Sequence, residues 1–164
     1  MSSVIRRLSA DDAEAFRSIR LESLVAEPNA FGAHIDDEVE QPLSFFAEKL
    51  MSGRMSGAFA DGELAAIMGL SIPEGRKVRH KGMLWGVYAR AAYRGRGLTG
   101  KLLDFIIAEA REAGLEWINL VVSVKTPAAR KLYESRGFIV YAREPAGLKV
   151  DGVDNDDELM TLRL

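Results

Sequence analysis

The chain has 164 residues, of which 48% are hydrophobic and 28% are charged, with 24 acidic and 22 basic side chains. This length and composition predict one globular domain over residues 1–164. A net charge of −2 gives no indication of nucleic-acid binding. The sequence has no cysteine, which excludes disulfides and a thiol nucleophile, and its two histidines are too few to predict a metal site. No apolar stretch reaches the length of a membrane span, so we expect a cytoplasmic protein.

The first half of the chain predicts a strand, two helices and an antiparallel meander of three strands. Ser9 and Asp12 have the spacing of a capping box at the start of a helix. Asp61-Gly62 is typical of a two-residue hairpin turn between antiparallel strands. In chain order, the predicted elements are a strand over 4–8, a helix that ends before Pro28, a helix over 42–50, and strands over 55–60, 63–72 and 83–89.

The second half alternates helices and strands. Residues 98–113 are amphipathic and are followed by Gly114, as expected for a helix with a glycine cap. Residues 117–124 are almost continuously apolar, which predicts a strand buried on both faces. The meander and the following strand–helix–strand crossover predict a mixed α/β fold with a twisted, mostly antiparallel sheet and two parallel central strands. The remaining predicted elements are a helix over 128–136, a strand from Phe138, a turn rich in Asp and Gly over 151–156, and a strand over 159–164.

A glycine-rich segment, Arg94-Gly95-Arg96-Gly97-Leu98-Thr99-Gly100-Lys101, lies between a predicted strand and a predicted helix. Glycines allow successive backbone N–H groups to turn toward one point, and a helix N-terminus adds a partial positive charge there. The segment therefore predicts a site for a phosphate or pyrophosphate. The alternative is a tight turn that binds nothing.

Two nucleotide-binding patterns fit this segment only in part. Gly95-x-Gly97-x-x-Gly100 matches the dinucleotide fingerprint, but the next strand has no acidic residue at its end to bind a ribose. Gly100-Lys101 ends a near match to the phosphate-binding P-loop, but Leu102 stands where that loop has Ser or Thr to bind magnesium. An NAD-binding oxidoreductase is kept as an alternative function.

Two motifs together resemble the GNAT superfamily of N-acetyltransferases. Arg94 and Gly97 match its acetyl-CoA motif Arg/Gln-x-x-Gly-x-Gly/Ala, although Thr99 stands where Gly or Ala is usual. Residues 126–138 resemble its second motif, Asn-x-x-Ala-x-x-Leu-Tyr-x-x-x-Gly-Phe, with Thr126 in the asparagine position. The resemblance implies a single N-acetyltransferase domain with this family's fold, in which the two parallel central strands splay apart and helices flank the sheet.

The resemblance also implies roles for individual residues. The chain would transfer an acetyl group from acetyl-CoA directly to a primary amine in a ternary complex, with no metal. Tyr133 matches the general acid that protonates the departing thiolate. The implied acetyl-CoA-binding residues are Val87, Tyr88 and Ala89 for the pantetheine and thioester, Arg94, Gly95, Arg96, Gly97, Leu98, Thr99 and Gly100 for the pyrophosphate, and Thr126 and Ala129 in the second motif.

The general base is not identified by the sequence. Met83 and Trp85 occupy strand positions where some family members have a carboxylate. His80 lies too far along the strand from Ala89, and a chain of water molecules is an equal alternative. The acidic residues of the first helices, Glu22, Asp37 and Glu38, are each typical of solvated surface charges.

The sequence also does not identify the acceptor amine or the oligomeric state. Phe31, Phe45 and Phe46 fit either an acceptor pocket or the core. The acceptor amine belongs to a small molecule or to a peptide N-terminus, and a non-catalytic acyl-CoA sensor is a further alternative. The alternating strand over 159–164 could extend the sheet across two subunits, although pairing within its own sheet is the favoured use of this strand; we expect a homodimer.

Overall fold

A computed structural model describes residues 2–164 and contains one seven-stranded sheet with helices on both faces. The strands are β1 (Ser3–Arg7), β2 (Met55–Ala60), β3 (Glu63–Ser71), β4 (Lys81–Ala89), β5 (Trp117–Ser123), β6 (Ile139–Val150) and β7 (Val153–Arg163). The helices are α1 (Ala13–Ala26), α2 (Ile35–Glu38), α3 (Leu43–Ser52), α4 (Leu98–Glu112) and α5 (Pro127–Ser135). Within residues 2–164, every helix is too short or too polar to span a lipid bilayer.

The sheet has the strand order β1-β2-β3-β4-β5-β7-β6, and β4 and β5 are its parallel pair. All other neighbouring strands are antiparallel, so the predicted mixed α/β fold is confirmed. Strands β4 and β5 pair through three residues each, from Lys81–Trp117 to Met83–Asn119, and then diverge. The divergence opens a gap in the middle of the sheet.

A β-bulge in β4 lies where the two parallel strands separate. Trp85 pairs with Gly69 and Tyr88 with Ile67, so two residues of β4 stand opposite one residue of β3. The first of these two residues, Gly86, has a φ of +63°, which a residue with a side chain rarely adopts. A bulge bends its strand and leaves one residue outside the ladder of hydrogen bonds.

Two hydrophobic clusters hold the helices on the sheet. On one face, α4 buries a stripe that includes Leu102, Leu103 and Ile106 at helical spacing. On the other face, Phe16 of α1 and Phe46 of α3 are fully buried, with ring centroids 6.4 Å apart. The two hydrophobic clusters therefore cover both faces of the β2–β4 meander.

The last two strands are longer than the sequence predicts. The chain turns at Asp151-Gly152, with φ values of +49° and +77°, so the predicted turn over 151–156 is wrong in extent and the strand over 159–164 is the second half of β7. Charged side chains on this hairpin and an irregularity between Glu144 and Leu148 hide the strand pattern. Helix α2 was also not predicted because it is only four residues long, with the His34 side chain accepting from its first turn.

Strand β5 is not buried on both faces. Leu120 and Val122 are buried, but Val121 between them is 49% exposed. The near-continuous apolar character of this strand has a different cause, because β5 forms one side of the gap that opens between β4 and β5.

Asp12 binds Arg6 and the backbone of Ser9 at the start of the first helix. Arg6 donates two hydrogen bonds to its carboxylate, at 2.8 and 2.9 Å, and the Ser9 N–H donates another at 2.8 Å. The hydrogen bonds from Arg6 lower the pKa of Asp12 from 3.8 to about 2, against the opposing effect of burial. Because the folded-state pKa is the lower one, this stabilisation is complete above about pH 4 and is lost as the pH falls through about 2.

We expect Asp12→Asn to lower the free energy of unfolding at pH 7 and to have less effect as the pH falls from about 4 to about 2. Urea denaturation at a series of pH values measures this difference. Asp11→Asn, at the neighbouring exposed position, is the control. A loss of the same size at pH 7 and at pH 2 would contradict the assignment to the ionised carboxylate.

Candidate active site

A cleft of about 790 Å³ opens where β4 and β5 diverge. Its walls come from these two strands, the start of α5, and the segment that follows α1. Eight of the residues selected from the sequence line it: Val87, Tyr88, Ala89, Arg94, Thr99, Thr126, Ala129 and Tyr133. The fold thus brings together residues from both motifs.

The glycine-rich loop joins β4 to the N-terminus of α4. Gly95 and Gly97 each have a φ of +75°, and a Cβ atom added to either would meet nothing within 4 Å. Gly97 caps α4, and the first backbone hydrogen bond of the helix runs from the Lys101 N–H to the Gly97 carbonyl at 3.1 Å. The N–H groups before Lys101 have no carbonyl within the helix, as at any helix N-terminus, and are available to an anion.

Gly100 and Leu98 have structural reasons for their identity. A Cβ atom on Gly100 would lie 2.7 Å from Nη2 of Arg136, whose guanidinium binds Asp104 at 3.0 and 3.2 Å. Leu98 is buried in the core beneath α4. Gly95, Arg96, Gly97, Leu98 and Gly100 are not among the cleft-lining residues.

The two arginines of the loop have intramolecular contacts. Arg94 donates from Nε to the Ala89 carbonyl at 2.9 Å and from Nη2 to Glu27 at 3.1 Å. Its side chain therefore ties the loop to the end of β4 and to the segment after α1. The Arg96 guanidinium lies over the Tyr93 ring, 5.5 Å from its centroid.

Tyr133 projects from α5 into the cleft wall. It is 5% exposed, and its ring packs against Phe138 with centroids 5.8 Å apart. Burial raises the pKa of its phenol well above the ordinary value of 10.0. A tyrosine hydroxyl carries its proton at neutral pH whether its pKa is ordinary or raised, so this hydroxyl can donate.

The turn between β5 and α5 uses the hydroxyl of Thr126. Its Oγ1 donates to the Ser123 carbonyl at 2.9 Å, and the Ser123 Oγ accepts from the Lys125 N–H at 3.1 Å. Thr126 thus stabilises this turn in the position where the motif has asparagine. Ala129 lies on the first turn of α5 and presents only a methyl group to the cleft.

None of the three acidic residues weighed as a base lines the cleft. Glu22 pairs with Arg90 at 3.3 Å, and Asp37 lies in α2. Glu38 is buried: desolvation favours its neutral form, but hydrogen bonds and charge from Arg20 and Lys49 outweigh this effect and lower its pKa.

The remaining candidates divide between the cleft and the core. Met83, Trp85 and Phe31 line the cleft, whereas Phe46 is fully buried and Phe45 packs beside it. The backbone carbonyl of His80 accepts from the N–H groups of Glu116 and Trp117, at the end of β4 remote from the bulge, and its side chain does not line the cleft.

Several cleft residues were missed by sequence reasoning, among them Gly86, Arg20 and Glu27. Gly86 had a readable signal, because glycine inside a strand often marks a bulge. Arg20 lies on α1 and Glu27 follows it, and neither residue had a local sequence signal. Their position in the cleft depends on how the helix packs against the sheet. Glu27 is the single carboxylate among the lining residues within 2–164, and it is paired with Arg94.

Solved structures share this architecture. A GNAT-family acetyltransferase from Streptococcus pneumoniae superimposes with a TM-score of 0.88, at 23% identity and 99% coverage of both chains. An acetyltransferase from Salmonella typhimurium, solved with its cofactor acetyl-CoA, superimposes with a TM-score of 0.82, at 23% identity, over 100% of this chain and 95% of that one. At these identities the likeness concerns the fold.

Sequence comparison identifies the family. N-alpha-acetyltransferase 30 of Saccharomyces cerevisiae is 34% identical over 64 residues, which cover 39% of this chain and 36% of that relative's length. The sequence profile of the Acetyltransferase (GNAT) family matches residues 14–138, more than half of the chain and both motifs. With the splayed parallel strands and the glycine-rich loop at the start of α4, this match establishes that the chain belongs to the GNAT family of acetyltransferases.

Proposed function

We propose that this GNAT protein transfers the acetyl group of acetyl-CoA directly to a primary amine, without an acetyl-enzyme intermediate. The observation that carries the proposal is the cleft between β4 and β5, which has a buried tyrosine in one wall and leads from the loop at the start of α4. The sequence has no cysteine to act as an acyl carrier. Direct transfer requires that both substrates be bound together, and the cleft volume of about 790 Å³ is within the range of ligand-binding pockets.

The residues of the cleft fit acetyl-CoA. Gly95 and Gly97 combine positive φ values with open space around them, as a loop that wraps a phosphate requires. The N-terminus of α4 adds N–H donors and a partial positive charge for the pyrophosphate. Along Val87–Ala89, β4 has no strand partner on the β5 side. The Ala89 carbonyl accepts from Arg94, and the other backbone groups that face the gap are available to the amide groups of an extended pantetheine arm.

The side chains and the bulge then support the chemistry. Acetyl-CoA supplies a thioester carbonyl, which the neutral amine attacks. The bulge at Gly86 and Val87 leaves one residue outside the hydrogen-bond ladder with β3, and its backbone N–H is proposed to stabilise negative charge on the carbonyl oxygen. Tyr133 donates its phenolic proton to the thiolate as the carbon–sulfur bond breaks.

The proton lost by the amine is proposed to pass to solvent through water. Glu27 is the only lining carboxylate within residues 2–164, and it is paired with Arg94 at 3.1 Å. The doubly wound parallel sheet of an NAD-binding oxidoreductase does not agree with a sheet that contains one parallel pair, so that alternative loses its support.

The acceptor is a primary amine of a small molecule or of a protein N-terminus. The partial match to the yeast enzyme named N-alpha-acetyltransferase 30 supports the second class. A single domain and a cytoplasmic location stay predictions.

Two measurements test the proposal. Titration calorimetry with acetyl-CoA, NAD and ATP is expected to detect binding of acetyl-CoA alone. A thiol-release assay over a panel of amines is then expected to detect coenzyme A formation that depends on the acceptor. Binding of acetyl-CoA without transfer to any amine would identify a sensor, and binding of NAD without acetyl-CoA would overturn the proposal.

We also propose a homodimer that uses the outer strand of the sheet. Ile139 and Tyr141 are 63% and 54% exposed and lie on the edge strand β6, whose outer backbone groups could pair with a second copy. Light scattering at working concentration is expected to give twice the chain mass, and Tyr141→Lys is expected to lower it. A monomer mass for the unaltered chain would refute the dimer.

A further inference from the structure

Arg20 is a buried arginine with one nitrogen left available on the acceptor side of the cleft. Its side chain is 5% exposed, and Nε and Nη2 donate to the two carboxylate oxygens of Glu38, each at 2.9 Å. Its third nitrogen, Nη1, makes no hydrogen bond with any residue in 2–164. That nitrogen lies 3.9 Å from where a Cβ atom of Gly86 would be, beside the bulge in β4.

The guanidinium group is held rigidly. Two parallel hydrogen bonds fix its plane against Glu38, and Lys49 approaches the same carboxylate at 3.6 Å. The rings of Phe31 and Trp85 flank it, with centroids 5.5 and 5.8 Å from the guanidinium carbon. Arg20 therefore cannot turn away from the cleft without breaking a buried ion pair.

The charge around Nη1 favours an anion. Arg20 and Lys49 carry two positive charges against the one negative charge of Glu38, and Lys125 adds another cation to the cleft wall. The lining carboxylate, Glu27, is already paired with Arg94. A cationic polyamine would find no unpaired carboxylate among the lining residues of the described chain.

We propose that Arg20 binds a carboxylate of the acceptor, so that the acceptor is a small amine with an acidic group close to its nitrogen, such as an α-amino acid. This inference rests on the proposed acetyl transfer. Nη1 lies at the same bulge that is proposed to stabilise the carbonyl oxygen, which places the acid group near the reacting amine. Phe31 lies beside Arg20, and Met83 and Val121 line the same cleft, so the cleft suits an apolar side chain on that acceptor.

The first test compares matched acceptors on the unaltered enzyme. Leucine and phenylalanine are assayed beside their α-amides and their decarboxylated amines, with putrescine as the polyamine. We expect kcat/KM for each acid to exceed that for its amide by about 10- to 100-fold, the effect of one charge-assisted hydrogen bond. Equal or better use of the amide points to a peptide N-terminus and overturns the inference, as does preference for putrescine.

The second test separates the specificity of Arg20 from its structural role. Arg20→Lys retains a cation beside Glu38 but loses the guanidinium group, whose several N–H donors can bind Glu38 and a ligand in the cleft at the same time. We expect KM for the acid to rise about tenfold, with kcat, the KM for the amide and the affinity for acetyl-CoA nearly unchanged. Arg17→Lys, one turn earlier on α1 and outside the cleft lining, is the control and is expected to change none of these.

The two proposals fail in different ways. An equal change in KM for acid and amide in Arg20→Lys overturns the specificity role, as does acetyl-CoA binding without acetylation of any acid in the panel. Failure of the unaltered chain to bind acetyl-CoA overturns the proposed function itself. Circular dichroism and urea denaturation check that Arg20→Lys is folded. If that variant does not fold, the comparison of acid with amide on the unaltered enzyme still tests whether the acceptor's carboxylate is recognised.

Discussion

Tyr133→Phe is expected to lower the turnover number by about 10²- to 10⁴-fold, the usual contribution of a positioned proton donor, while acetyl-CoA still binds with similar affinity. The substitution removes one hydroxyl and retains the ring that packs against Phe138. The phenol is buried and carries its proton at neutral pH in the unaltered enzyme. Single-turnover thiol release, in which chemistry limits the rate, measures the effect, and calorimetry measures the affinity.

A matched tyrosine provides the control for this variant. Tyr141 lies on β6, is 54% exposed and does not line the cleft, so Tyr141→Phe is expected to retain full turnover. Full single-turnover rate in Tyr133→Phe would show that Tyr133 packs in the cleft wall without donating a proton. Loss of acetyl-CoA affinity in Tyr133→Phe would instead assign its hydroxyl to binding.

Gly97→Val is expected to weaken acetyl-CoA binding by tenfold or more. Loss of one charge-assisted hydrogen bond costs about 1.5–3 kcal/mol, and the branched side chain is expected to displace several N–H donors at once. It would enter the open space at the start of α4, where the pyrophosphate is proposed to bind. Titration calorimetry with acetyl-CoA measures the change.

Gly114→Val separates this effect from backbone strain. Gly114 has a φ of +78° against +75° for Gly97, and a Cβ atom at either position meets nothing within 4 Å. Each substitution therefore carries a similar strain, about 1–2 kcal/mol for a left-handed residue with a side chain. Only Gly97 is at the proposed ligand site, so Gly114→Val is expected to bind acetyl-CoA normally. Normal binding by Gly97→Val would mean that the loop is only a turn.

Local signals in the sequence predicted the parts of the site that depend on neighbouring residues. The loop at Gly95 and Gly97 was readable because glycine at positive φ and a helix start are local features. The hairpin turn at Asp61-Gly62 was readable for the same reason, and φ is positive at both residues. Tyr133 was identified by its motif, and burial of its side chain agrees with a place in the cleft wall, although its role stays a prediction.

Other parts of the structure depend on contacts between distant elements, so local sequence patterns could not predict them. Arg20 faces the cleft because Glu38, 18 residues later, binds two of its nitrogens. An arginine on a helix gives no sign of whether such a partner exists. The exposure of Val121 depends on the separation of β4 from β5, since an apolar residue in a strand looks the same whether it faces a core or a cleft. The β6–β7 hairpin was underestimated because its charged residues suit an exposed ribbon as well as a loop.

The early separation of β4 and β5 gives this protein two unpaired strand edges in its interior. Beyond Met83 and Asn119, the backbone groups that would have joined the two strands have no partner in each other. At the outside of a sheet, such groups attract other chains and promote aggregation. Here α5 and the segment after α1 line the gap, so these groups lie inside the molecule and not at an outer edge of the sheet. The separation of the two strands therefore exposes backbone hydrogen-bonding groups to the cleft without adding a further outer edge to which another chain could pair.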